Sequence, residues 1–201
     1  FIIFILFGLG SWQLHRLQWK NDLILEISKS YKETPKNFTT NSKLYSKVRI
    51  NGKIIGQPIF VYALGTRGQY GYEVYIPVEL KEIIVLTRVG WRDKKFTLNQ
   101  NDIGSAVTFD AILLKPKRKN YFTPQNSKEL IFYLDIDLIE LNFKKKLFPL
   151  VAENTSNFLT KYSMTNSNKI NLPNNHLQYA LTWYSLCFVI IIAFLIYKRK
   201  I

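Results

Sequence analysis

Hydrophobic and polar positions divide the chain into two apolar ends and a middle of short alternating runs. From Leu177 to Tyr197 there is no Asp, Glu, Lys or Arg, and Lys198-Arg199-Lys200 closes the stretch. At about 1.5 Å rise per residue, such a helix is long enough to cross a hydrocarbon core of roughly 30 Å. His176, Tyr179 and Trp183 stand at its start, where amphipathic rings sit at lipid headgroups. The pattern predicts a second transmembrane helix and basic tail over residues 174–201. At the other end, Phe1 to Gly10 holds only apolar residues and glycine, and the apolar character continues to Leu14 before Arg16 and Lys20 stop it. This predicts a first transmembrane helix and its outer flank over residues 1–20. It is short for a span, and because the chain starts at Phe rather than Met we expect it to be the outer half of a longer helix. A removed secretory signal is the competing reading, but Gly8-Leu9-Gly10 ahead of Ser11-Trp12-Gln13 makes a poor cleavage site. Two spans would form a hairpin, with both termini on one side and the middle on the other. Lys198 to Lys200 favour cytoplasmic or matrix-side termini, against the opposing vote of Arg16 and Lys20.

The middle, residues 21–173, reads as an extracytoplasmic β-rich domain with polar tethers at Tyr31 to Ser42 and Asn154 to Pro173. Leu44 to Ile50 and Lys53 to Ile55 flank Asn51-Gly52, which supplies the positive φ angles of a type I′ turn, so a hairpin is predicted there. Ile59 to Leu64, Tyr72 to Leu80, Ile83 to Trp91 and Val107 to Leu114 are rich in β-branched and aromatic residues and predict further strands. Lys81-Glu82 is short enough to join the second and third of these as an antiparallel pair. Asp135 to Asn142 predicts a short helix, with Asp135 or Asp137 at its N-terminus and Ile136, Ile139 and Leu141 partly inward. The expected fold is a membrane α+β protein: two transmembrane helices flanking a mainly antiparallel β domain, barrel or sandwich-like, with a short helix.

Composition changes this picture little. The formal net charge of +14 would ordinarily raise nucleic acid or anionic lipid as a partner. The excess is spread along the chain, Lys outnumbers Arg 21 to 7, and the dense run Lys115-Pro116-Lys117-Arg118-Lys119 is broken by proline, which suits a solvated loop. No nucleic-acid partner is expected. Cys187 is the single cysteine, so neither an intramolecular disulfide nor a thiolate metal site can form. The two histidines, His15 and His176, cannot assemble a Ser-His-Asp, Cys-His or H-E-x-x-H arrangement in the central domain. Asp135 and Asp137 suit a helix start better than an acid–base pair, and no phosphate-binding glycine pattern appears. An enzyme is not expected.

The histidines instead bracket the domain, His15 just after the first apolar segment and His176 just before the second, so a hairpin brings both to one membrane face. Trp12, Arg16 and Trp19 share one helical side, as do His176, Tyr179 or Ala180, and Trp183. Such a group could serve a haem, with imidazole for the iron, flat rings for the macrocycle and Arg16 or Lys20 for the propionates. The residues by themselves fit better an aromatic belt with snorkelling cations that anchors two helices.

Leu9-Gly10-Ser11-Trp12-Gln13, then Arg16 and Trp19-Lys20, resembles the L-G-x-W-Q-x-x-R-x-x-W-K opening of the Surfeit locus protein 1 family. Asn175-His176-Leu177-Gln178-Tyr179 with Thr182-Trp183-Tyr184 is similar to its closing N-H-L-x-Y-x-x-T-W-Y. Gly71-Tyr72 to Pro77, Val85-Leu86 to Gly90-Trp91, and Tyr121-Phe122-Thr123-Pro124 with Asp135 match its internal landmarks in order. The resemblance implies an assembly factor for haem-copper cytochrome c oxidase that assists haem a insertion into the catalytic subunit. Two spans and a domain facing the periplasm or intermembrane space are also implied, in a bacterial inner membrane or a mitochondrial one. It further implies transient haem a binding with His176 as metal ligand, and places Trp12, Arg16, Trp19, Tyr179 and Trp183 in the motifs around it. The catalytic subunit and the lipid bilayer are the expected partners, with haem a synthase as a further one. The alternative is a membrane scaffold that stabilises an oxidase assembly intermediate without binding haem. His15 falls at a variable position of the opening motif. Thr87-Arg88-Val89-Gly90-Trp91 departs from the family's N-R-G-W by one position, and Arg92 replaces an apolar residue, a shift that would turn alternate side chains to the other face of a strand.

Overall fold

The structure, a computed structural model, describes residues 1–65, 68–117, 119–156, 158, 162 and 174–200. The chain forms two units, Phe1–Lys29 together with Asn171–Ile201, and Ser30–Ile170.

The first unit holds two helices. α1 runs Ile2–Lys32 and α3 runs His176–Lys200. α1 continues well past Lys20 because Leu23, Ile24 and Ile27 keep a helical spacing among the charged residues, and it stops ahead of Pro35, which disfavours helix in the residue before it. Among the described residues only α3 is long and apolar enough to cross a membrane, with a mean hydropathy of 2.2 in its most apolar window. α1 falls short by that measure, since Ser11, Gln13, His15, Arg16, Gln18 and Lys20 break its apolar run. The two-span expectation is thus met by one helix on composition.

The second unit is built on a mixed sheet. Its strands are β1 (Lys36–Asn37), β2 (Lys47–Ile54), β3 (Ile59–Leu64), β4 (Tyr70–Leu80), β5 (Ile83–Arg92), β6 (Ala106–Leu114), β7 (Lys146–Leu147) and β8 (Val151–Asn154). The path β2-β6-β8-β5-β4 closes on itself because β2 also pairs with β4, so five strands make a small barrel. The expected antiparallel character holds for most pairs, but β5 runs parallel to β7 and β8, and β1 parallel to β2. β1 lies inside the first predicted tether. The second predicted tether begins within β8, and residues 157, 159–161 and 163–173 lie outside the described residues.

Barrel closure overturns the first predicted hairpin. Asn51 and Gly52 lie inside a continuous β2, opposite Thr108 and Val107 of β6, and the next residues, Lys53 and Ile54, also pair with Glu79 and Val78 of β4. A Cβ on Gly52 would come 2.5 Å from the Glu79 carbonyl oxygen. Glycine is therefore used here for close backbone approach rather than for a turn. The predicted turn at Lys81-Glu82 is present, with Lys81 supplying the left-handed step at φ 54°.

Alternation along the strands produces two apolar layers. Ile50, Ile54, Val74, Ile76, Val78, Val85, Phe109, Ala111 and Leu113 pack together as the main core, and the opposite face of β4 and β5 contributes Tyr75, Ile84 and Leu86 to a second cluster. That second cluster includes Ile139 of α2 (Ile136–Phe143). α2 begins as expected, with Asp135 accepting from the Leu138 amide at 3.2 Å. Leu141 is 72% exposed, so the inward face of α2 is narrower than predicted.

Candidate functional site

Within the first unit, α1 and α3 are antiparallel and meet along stripes spaced alternately by three and four residues. Ile3, Leu6, Gly10, Gln13 and Leu17 are buried or half-buried on α1, and His176, Ala180, Trp183, Cys187 and Ile190 on α3. This is the spacing that keeps one helical seam facing its partner. Small residues let the backbones approach: Ala180 is fully buried, and a Cβ on Gly10 would sit 2.7 Å from the Tyr184 ring. Polar contacts cross the seam at several levels. The Ser11 and Tyr184 hydroxyls are 3.1 Å apart, and Asn174 donates to Asn21 at 2.8 Å. Phe7 lies against the Tyr184 ring at 5.6 Å, and Cys187 Sγ lies 3.8 Å from the Ile3 carbonyl oxygen.

The central contact of the seam joins His176 Nδ1 to Gln13 Oε1 at 2.7 Å. Both side chains are half-buried, and Nε2 of His176 makes no hydrogen bond among the described residues. A half-buried imidazole held at one nitrogen, with no hydrogen bond at the other among the described residues, is a donor of the kind that could hold a haem iron.

The other expected site residues are only partly gathered around it. Trp183 lies on the seam about two turns beyond His176 and is half-buried. Tyr179 flanks the seam and is 54% exposed. Trp12 and Trp19 occupy the stripe of α1 turned away from the seam and are 54% and 48% exposed. Arg16 stacks its guanidinium 4.5 Å over the Trp19 ring, a cation–π contact on the same outer side. His15 is exposed. His176 and Trp183 thus share the helix interface, whereas Trp12, Arg16 and Trp19 form a separate outer stripe at a similar level. Gln13, the partner of His176, was visible in sequence only as a member of the opening motif.

In the second unit a buried ionic cluster lies on the outer face of β4, β5 and β8. Arg88 Nη1 donates to Glu153 Oε1 at 2.5 Å and Nη2 to Glu73 Oε1 at 3.3 Å. Lys117 also donates to Glu73 Oε1, at 2.6 Å, and the Tyr75 hydroxyl to Oε2 at 2.9 Å. Burial drives the Glu73 carboxyl upward, but Arg88 and Lys117, with the Lys117 and Tyr75 hydrogen bonds, outweigh it and hold Glu73 below the usual carboxylate range. Burial prevails at Glu153, where Arg88 does not fully offset it, and its pKa is raised. At Arg88, burial opposes the charged form and the two carboxylates outweigh it, so its pKa is raised. The Tyr75 hydroxyl is pushed well above its ordinary value by burial and by Glu73. Two carboxylates and two cations balance, which makes the cluster a lock between strands and the Lys117 loop.

The lock also explains how the local sequence departure is accommodated. Val74 opposes Gly90 and Tyr75 opposes Arg88, so Val89 is an extra residue, absorbed as a β-bulge with Gly90 at φ 147°. Val89 joins the main core while Arg88 and Trp91 stay on the outer face, opposite Tyr75 and Glu73. The alternate-face shift expected from the extra position is thereby cancelled.

A family model described as the SURF1 family matches residues 1–188. Similar proteins named SURF1-like protein include one from Rickettsia felis, 25% identical over 98% of this chain and 93% of its own length. One from Rickettsia prowazekii is 27% identical over 98% of this chain and 86% of its own length. One from Dictyostelium discoideum is 26% identical over 100% and 96%.

Proposed function

Because this chain belongs to the SURF1 family, known in general as cytochrome oxidase assembly factors, we propose that it assists insertion of haem a into the oxidase catalytic subunit by holding the haem transiently. The observation that carries this reading is the half-buried His176 on the helix seam, held at Nδ1 by Gln13 with Nε2 making no hydrogen bond among the described residues, with Trp183 on the same seam. Haem a, when bound, would supply an iron centre to which an imidazole nitrogen can bind. His176 would hold it, Trp183 on the seam and Tyr179 at its flank would give ring surface, and Arg16, from the outer stripe, and Lys20 would offer cations for the propionates. Trp12 and Trp19, on the outer stripe, anchor α1 at the headgroup level and widen the aromatic surface there. A single imidazole with partly exposed rings suits moderate affinity, which handover requires. No bond in a substrate is made or broken, so the chain acts by binding rather than as an enzyme.

In this reading α1 and α3 form a two-span hairpin in the bacterial inner membrane, or its mitochondrial counterpart, with the β barrel on the periplasmic or intermembrane side. The apolar length of α3 and the small-residue seam that pairs it with α1 support the hairpin. The catalytic subunit receives the haem, haem a synthase is the fitting donor, and the bilayer is the common surface. The test is transfer: haem a-loaded protein is mixed with haem-free catalytic subunit, and the absorption of each is followed after separation. Loss of haem from this protein matched by gain in the subunit is expected. Stable capture of the subunit by a protein that never takes up haem would replace this reading with the scaffold.

A further inference from the structure

We infer that Gln13 sets the tautomer of His176, accepting its Nδ1–H and so leaving Nε2 as the lone-pair nitrogen available to a metal. The inference rests on the haem-holding reading for its consequence, but not for its geometry. Oε1 of Gln13 lies 2.7 Å from Nδ1, and an amide oxygen can only accept. A neutral imidazole has one N–H, so a proton held at Nδ1 leaves Nε2 bare. Imidazole in water favours the opposite arrangement, with the proton on Nε2, which would block ligation there. The contact therefore reverses a default at the one nitrogen that matters.

Its placement makes it selective. Gln13 and His176 are 163 positions apart and meet only because α1 and α3 pair; both are half-buried in the seam, where bulk water competes less for the imidazole proton. An acceptor on the far nitrogen also raises the basicity of the ligating one, as the hydrogen-bonding partners of metal-bound histidines do. Gln13 is thus a positioning residue, acting through His176.

The test uses the full chain in detergent micelles, with His15→Gln so that one ¹⁵N-labelled histidine remains, at a pH where the imidazole is neutral. The haem-free protein is expected to show the Nδ1–H tautomer; Gln13→Leu should shift it toward Nε2–H, and Gln13→Glu should keep Nδ1–H. Haem a titrations should then show about ten-fold or weaker binding in Gln13→Leu and retained binding in Gln13→Glu. An Nε2–H tautomer in the parent, or an unchanged tautomer in Gln13→Leu, overturns the inference. His176→Ala separates the two ideas: full haem binding in that variant removes His176 as ligand, while the haem-free ¹⁵N spectra still decide what Gln13 does.

Discussion

Replacing Arg88 by Leu removes the one guanidinium shared by Glu73 and Glu153, whose side chains are 8% and 5% exposed. Truncating one partner of a buried ion pair costs about 3–5 kcal/mol, because the remaining charge is left in a poorly solvating site. Lys117 still faces Glu73 but is 72% exposed, and exposed pairs contribute about 0–1 kcal/mol, so it offsets little. The loss should depend on pH with a definite sign. In the parent, the lowered pKa of Glu73 gives stability that is present above its unfolded value, about 4.3, and lost as pH falls through the folded value. The raised pKa of Glu153 works oppositely, giving stability that is present below about pH 4.3 and lost as pH rises through its folded value. The two partly cancel, so the parent should vary gently. Without Arg88 the favourable partner of both carboxylates is gone and both prefer the protonated form. Arg88→Leu should then be near parental stability at about pH 4 and lose the full 3–5 kcal/mol by about pH 8. Urea unfolding of the detergent-solubilised chain, followed by circular dichroism of the β signal across this range, measures it. An equal loss at both ends of the range, or one below about 1 kcal/mol at the alkaline end, would show that Arg88 does not hold the two carboxylates in their charged form.

Three further substitutions test the architecture. Gly52→Ala places a Cβ 2.5 Å from the Glu79 carbonyl oxygen and should cost about 1–3 kcal/mol in the same urea assay; an unchanged midpoint would mean that β2 does not close on β4. Asp135→Ala removes the cap that accepts from Leu138 and should cost about 1 kcal/mol, read by thermal unfolding, with α2 amides losing hydrogen-exchange protection first. Gly10→Leu drives a side chain into the Tyr184 ring and should part the helices. Ile3→Cys gives the readout: a short thiol cross-linker should join it to Cys187 when Gly10 is present, and yield should fall sharply in Gly10→Leu. Equal yields in both backgrounds would contradict the seam.

Much of the second unit was legible because alternation and turn chemistry are local signals. Ile59–Leu64 has the predicted bounds, Lys81-Glu82 turns the chain, and Asp135 caps α2. Asn51-Gly52 misled because the same residues suit a two-residue turn locally; only closure against β4, where Lys53 pairs with Glu79, makes them strand. β1 and β7 are two residues each and β8 is four, too short for a period to show. The extension of α1 was missed because its apolar residues alternate with charges that read as a tether. His176 could be singled out from its place at the start of an apolar helix, but its contact with Gln13 depends on helix pairing that no local pattern encodes. Arg88, Glu73 and Glu153 offered one usable signal, a charge at the alternate position of an otherwise apolar strand.

Whether His176 holds haem a is decided by the absorption spectrum of the detergent-purified chain beside His176→Ala, both expressed in cells that make haem a. A haem a band in the parent that is lost in His176→Ala, with helix and sheet content unchanged in circular dichroism, is expected. A parent without colour, or a variant that keeps the full band, would contradict that role of His176.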